Sequence, residues 1–336
     1  MSEWKIFEGT HREGNRLADL PPAPPWRHFA LGEKPSPPAE PRNFSNPQRG
    51  QTFELDPAGA MSDAVNAALY LRRPLLITGK PGSGKSSLIY AVAYELKMGD
   101  VLRWAVTSRT TLRDGLYQYD ALGRLNESDP KQPLVGGAAL GQNQAQDPIG
   151  KFFSLGPLGS ALVPTTWPRA LLIDEIDKSD LDLPNDLLNV FEEGEFRIPE
   201  LERAAAPVVP VKLHNSAETY AIPNGSVKCR QFPFVVLTSN GEREFPAPFL
   251  RRCIQLTIPE PLDAQLANIV ESHFHNDSDV HGKTTALIQE FIGKRSEKEL
   301  ATDQLLNAVY LTLSSHSVPD AEHARLKELV LKALNG

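Results

Sequence analysis

The chain has 336 residues, 40% of them hydrophobic and 23% charged, a composition that excludes a wholly disordered or fibrous protein and leaves room for one large or two modest domains. Against 42 Asp and Glu stand 35 Lys and Arg, a formal net charge of -7 that argues against broad, sequence-independent binding to nucleic acid or anionic membranes. The two cysteines, Cys229 and Cys253, lack CxxC spacing and read as buried thiols, not as a disulfide framework or a zinc site.

Residues 1–50 carry PPAPPW and KPSPPAEP, whose fixed φ angles and missing N–H donors favour extended chain over helix or central strand. This stretch reads as a proline-rich arm or linker, either disordered or docked on a neighbour through Trp26 and Phe29. The first residues lack the apolar core of a signal peptide, and no run of 18 apolar residues follows, so a cytoplasmic location without a membrane partner is expected.

From Asp56 a helix with Val65, Leu69 and Leu71 on its apolar side leads into PLLITG, a short buried strand. Further strands are expected at 101–106, 170–175, 234–240 and 253–258, with helices from Ser86 and from Asn185 between them. That alternation calls for an α/β fold, a mostly parallel sheet flanked by helices. Residues 121–150, rich in Gly, Asn, Gln, Ala and Pro, read as a mobile loop. Between Gly194 and Phe232, RIPEL, VVPVKL and ETYAIP alternate apolar and polar residues around turn formers and suggest β-hairpins. After Pro261 only helical patterns remain, ending in LKELVLKAL. The expected organisation is an arm over 1–50, a nucleotide-binding α/β domain over 51–260 with insertions near 121–165 and 194–232, and a helical lid domain over 261–336.

The residues from Gly79 to Ser86, GKPGSGKS, fill the template GxxxxGK[ST] between an apolar strand and a helix, the context the template requires. Here Gly79, Pro81, Gly82, Ser83, Gly84 and Ser87 would form a loop whose N–H groups wrap phosphate oxygens, aided by the helix N-terminus. Lys85 would bridge the β- and γ-phosphates of ATP, and the Ser86 hydroxyl would enter the shell of Mg²⁺. The strand LLIDE ends in adjacent carboxylates, a Walker B pattern: Asp174 would hold Mg²⁺ through water, and Glu175 would polarise the attacking water. Asp177 and Lys178 read as a solvated pair opening the next turn.

Asn240 ends a third strand at the ligand crevice of such a sheet, as an orienter of the lytic water or as a plain turn former. Arg251 and Arg252 precede the last strand as solvated surface cations, or as an arginine finger reaching a neighbouring subunit's γ-phosphate. His273, His275 and His281 cluster without a supporting ligand pattern and read as a polar helix end.

In order along the chain, GKPGSGKSS, LLIDEID, FVVLTSN and FPAPFLRRC, followed by helices, resemble the AAA+ ATPases and in particular their MoxR branch. Two further stretches carry that likeness: FFSLGPL from Phe152, similar to the branch's insertion in the second helix, and LLNVFEEGEFRIPEL, similar to its helix leading into a hairpin. The resemblance implies that Lys85 and Ser86 are the Walker A pair, Asp174 and Glu175 the Walker B pair, and Asn240 sensor 1. It matches Arg252 to the trans-acting arginine, with Arg251 adjacent and able to share that role. In the sensor 2 segment ATDQLL, Asp303 stands where the family has Arg. Thr107 or Ser108 falls where relatives couple partner contact to Glu175.

The implied function is Mg-ATP hydrolysis in a homo-oligomeric ring, usually a hexamer, that remodels a partner protein in the manner of a chaperone. Partners of this branch often carry a von Willebrand factor A domain, and single-module members sit beside such proteins in bacterial gene clusters. Two alternatives are a nucleotide-gated scaffold with slow hydrolysis, motivated by Asp303, and a nucleic-acid-dependent ATPase, which the net charge of -7 disfavours.

Overall fold

The computed structural model describes residues 4–27, 29, 44–45, 47–56, 58–127, 148–274, 280–297, 300–313, 322, 325 and 329–330. In chain order the strands are β1 (Leu75–Thr78), β2 (Leu102–Ala105), β3 (Tyr117–Tyr119), β4 (Phe153–Leu155), β5 (Ala170–Asp174) and β6 (Glu195–Arg197). They continue with β7 (Val208–Lys212), β8 (Thr219–Pro223), β9 (Ser226–Lys228), β10 (Phe234–Ser239) and β11 (Ile254–Thr257).

Five of these form the central sheet in the order β11-β1-β10-β5-β2, and each neighbouring pair runs parallel. Strands such as β5 and β10 are buried along their whole length, as expected where helices cover both faces. Because alternate side chains leave opposite faces, Leu75, Ile77, Leu172 and Val236 join one apolar cluster with Val65 and Leu69 of helix Ala60–Leu71 and Leu88 and Val92 of helix Lys85–Glu95. Leu76, Leu171, Ile173, Val235 and Leu237 join the opposite cluster with Leu187 and Phe191 of helix Asp182–Glu193. The register sets Thr78 opposite Ser239 and Leu237 opposite Ile173, so the carboxyl ends of β1, β10 and β5 come out level. The chemistry-bearing residues sit on that edge.

The remaining strands form two small sheets. β3 pairs antiparallel with β4, β7 with β8, and β4 runs parallel to β7 at Ser154 and Lys212, while β6 and β9 pair separately. The hairpin reading of VVPVKL and ETYAIP holds. RIPEL is different: Arg197 ends β6, and Pro199 opens the short helix Pro199–Glu202, the first-turn position that its locked φ and absent N–H suit. Of the expected loop over 121–150, residues Ala121–Glu127 are helical and Pro148–Phe152 form a 3-10 helix, and 128–147 lie outside the described residues.

Among the described residues, the helices Asp263–Phe274, Val280–Glu297 and Thr302–Leu313 follow the sheet. Leu266, Val270, Leu287, Phe291, Leu305 and Val309 form their shared core. Most of LKELVLKAL lies outside the described residues.

Residues 4–27 are packed down, although their only regular element is the 3-10 turn Arg16–Asp19. Ile6, Phe7, Leu17 and Leu20 are buried in the cluster under helices Ala60–Leu71 and Lys85–Glu95. The buried Asn66 amide replaces strand pairing, accepting from the N–H groups of Ile6 and Phe7 and donating to the Phe7 carbonyl. Glu95 accepts from the N–H groups of Glu8 and Thr10. Phe29 stacks on Phe232 within the chain at 5.1 Å, whereas Trp26 is exposed. Both cysteines are buried free thiols whose pKa burial pushes up to about 12. Among the described residues no helix is long and apolar enough to cross a membrane.

Candidate functional site

The turn after β1 approaches its surroundings too closely for side chains at two glycines. A Cβ on Gly79 would lie 2.6 Å from the Ile258 carbonyl oxygen. At Gly82 the backbone has φ 73°, and a Cβ would lie 2.7 Å from the Ala301 Cβ and 3.1 Å from Asp303 Oδ1. This loop delivers the chain into helix Lys85–Glu95, whose first N–H groups and partial positive charge face the cleft. Lys85 Nζ donates to the carbonyls of Gly79 and Lys80, each at 2.7 Å, and burial lowers its pKa against the pull of Asp177, Asp174 and Glu175. Ser83 Oγ is buried with no hydrogen-bond partner among the described residues.

Asp174, at the tip of β5, is encircled by donors. Ser86 Oγ and Thr238 Oγ1 each donate to Oδ1 at 2.8 Å, and Arg103 donates to Oδ2 from Nη2 at 2.7 Å and from Nε at 3.2 Å. Burial works to raise its pKa, but the hydrogen bonds from Thr238, Arg103 and Ser86 outweigh burial and hold the carboxyl below the ordinary carboxylate range. Glu175 follows in left-handed backbone, φ 62° and ψ 49°, a conformation a glutamate adopts at a cost and one found at functional turns. Its N–H donates to Thr238 Oγ1, and its carboxylate pairs with Lys178 at 2.8 Å.

The solvated pair expected at Asp177 and Lys178 does not exist. The 3-10 turn Ile176–Lys178 folds Asp177 inward, where Oδ2 accepts from the N–H groups of Asn240 at 2.9 Å and Glu242 at 3.2 Å, and Lys178 reaches back to Glu175.

These groups line one cleft of about 790 Å³, bounded by residues 81–87, Arg103, Asp174, Glu175, Thr238 and Asn240, with Phe53 also on its lining and Thr302 and Asp303 contributed by the first turn of helix Thr302–Leu313. Arg251 and Arg252 lie outside it. Arg251 is exposed, while Arg252 forms an ion pair at 2.8 Å with Glu192, whose other oxygen pairs at 2.9 Å with the buried Arg27. Thr107 and Ser108 are exposed beyond β2 and do not line the cleft; the β2 residue that does is Arg103.

A family model described as the AAA domain of the dynein-related subfamily matches residues 74–252. The chain belongs to this AAA family. The matched span opens at the residue before β1 and closes on Arg252, so the glycine loop, Asp174, Glu175 and Asn240 all fall inside it. Phe53 and Asp303, which complete the cleft of this AAA protein, fall outside it. No curated protein matches the chain.

Membership makes this an AAA+ ATPase fold with a nucleotide-binding cleft, and the residues present fit both nucleotide and metal. The cradle tolerates no Cβ at Gly79 or Gly82, and the orphan Ser83 hydroxyl lacks an acceptor. Ser86 and an ionised Asp174 set two hard oxygen donors side by side, the donor type that Mg²⁺ selects.

Sequence reasoning missed Arg103, Thr238 and the true place of Asp177. Thr238 had a usable signal, a polar residue directly after the apolar run FVVL. Arg103 had a weaker one, a lone cation within VLRWAV.

Proposed function

We propose that this AAA protein is a MoxR-like ATPase that works as a homo-oligomeric ring, most simply a hexamer, and spends Mg-ATP hydrolysis on remodelling a partner protein that carries a von Willebrand factor A domain. What carries the reading is the gathering of Lys85, Ser86, Asp174, Glu175 and Asn240 around one cleft at the carboxyl edge of a parallel sheet. The stretches FFSLGPL and LLNVFEEGEFRIPEL, folded as strand, turn and helix beside that core, support the MoxR assignment.

In this reading the N–H groups of residues 79–84, Pro81 excepted because it has none, bind phosphate oxygens, and Lys85 exchanges its two carbonyl partners for the β- and γ-phosphates. Ser86 directly, and Asp174 through a water, would hold Mg²⁺, which would supply charge neutralisation across the phosphates. Glu175, released from Lys178, accepts a proton from water as the water oxygen bonds to the γ-phosphorus and the bond to the bridging oxygen of ADP breaks. Asn240 orients that water, its backbone fixed by Asp177. Arg252, with Arg251 beside it, lies outside the chain's own cleft and is assigned to the next subunit's γ-phosphate.

The test is Glu175→Gln. ATP uptake should persist, while steady-state turnover falls by roughly 10²-fold or more, the scale expected for loss of a general base. Unchanged turnover would remove the mechanism.

Asp303 motivates a second reading. A carboxylate, not a guanidinium, faces the glycine loop, with Oδ1 3.1 Å from where a Gly82 Cβ would stand. A nucleotide-gated scaffold with slow hydrolysis would suit that arrangement, and a turnover that stays low with every partner while complexes form only with ATP would favour it.

A further inference from the structure

An ionised carboxylate offers about four lone-pair positions. Asp174 has all four engaged, by Ser86 and Thr238 on Oδ1 and by the two Arg103 nitrogens on Oδ2. If Asp174 is to accept a water of a metal shell, as the proposed function requires and on which this inference rests, one donor must leave.

The three donors differ in their freedom to do so. Thr238 is buried in the central strand β10 and also accepts the Glu175 N–H, so its hydroxyl is fixed from both sides. Ser86, in the first turn of its helix, is itself the other metal donor and stays beside Asp174 in either state. Arg103 stands on β2, the edge strand of the sheet, with 55% of its side chain accessible and room to swing. Its departure would leave Ser86 and Thr238 in place and open one whole carboxylate oxygen.

We propose that Arg103 is a resident counter-charge for Asp174, which metal-bound nucleotide displaces and which, once released, remains in the cleft as a cation near the phosphates. Arg103 thereby sets how much magnesium the site needs. It offsets the carboxylate when metal is scarce, attracts triphosphate without metal, and must be outcompeted before Asp174 accepts a metal-bound water. A cation here also stands in a cleft where residue 303 supplies a negative charge.

The experiment compares the full chain with Arg103→Gln and Arg103→Lys, following uptake of a fluorescent ATP analogue in EDTA and across a magnesium titration. In Arg103→Gln, metal-free affinity should fall about tenfold, the scale of one charge-assisted contact, while the magnesium concentration at half-saturation drops several-fold. Arg103→Lys, which keeps the charge but not the fork, should move both values back towards the parent. Equal half-saturating magnesium in parent and Arg103→Gln, or an equal loss of affinity with and without metal, would overturn the assignment while leaving the nucleotide site standing. If the parent chain takes up no nucleotide in either medium, the proposed function falls and this inference with it.

Discussion

A buried carboxylate that accepts two backbone N–H groups anchors both of their owners. Asp177 does this for Asn240 and Glu242, so the turn after β5 and the loop after β10 move together. Replacing Asp177 with Ala leaves both donors without their partner, at a cost of about 1–3 kcal/mol for each one left unsatisfied. Thermal melts should show a clear fall in Tm for Asp177→Ala and a smaller one for Asp177→Asn, which keeps an acceptor oxygen. In the sequence this residue resembles any charged neighbour in a turn. Nothing local reveals that the carboxylate faces a loop more than 60 positions away. Lys85, Ser86, Asp174 and Glu175 were legible because their spacing to a strand and a helix is itself the signal, and Arg103 was obscured because a cation on an edge strand is normally solvated.

Among elements, the glycine loop and the helix Thr302–Leu313 touch. A methyl at position 82 would meet Ala301, the Thr302 N–H and Asp303 together, and φ 73° there costs an L-residue roughly 1–2 kcal/mol. Gly82→Ala should therefore lower stability by more than that backbone term and push the start of helix Thr302–Leu313 outward. Hydrogen exchange over residues 301–306 reads this directly, and protection equal to the parent's would contradict it. The central strands could be read from sequence because a parallel strand covered on both faces is a continuous apolar run, as in ALLID and FVVLTS. β3 could not. Tyr117, Gln118 and Tyr119 are too few to show a period, and they form a strand only because β4 pairs with them across a long insertion.

At the scale of the whole molecule, the amino-terminal residues belong to the α/β core. Prolines dominate the composition of residues 21–41 and hide Ile6, Phe7, Leu17 and Leu20, and the side chains that hold this segment, Asn66 at Ile6 and Phe7 and Glu95 at Glu8 and Thr10, are remote in sequence. Burying four large apolar side chains is worth on the order of 5 kcal/mol or more. A chain lacking residues 4–20 should unfold at markedly lower urea than the parent, and an unchanged midpoint would show that this segment contributes nothing to the core.

The shared Glu192 carboxylate binds three distant positions into one constraint. Loss of Glu192 strands a guanidinium at position 27 inside the protein and leaves the one at position 252 without its counter-charge, whereas loss of Arg27 leaves a single acid facing a single base. Evolutionary drift at 27, 192 and 252 should therefore be concerted, and a lineage that abandons one of the trio should be found to have rewritten the others.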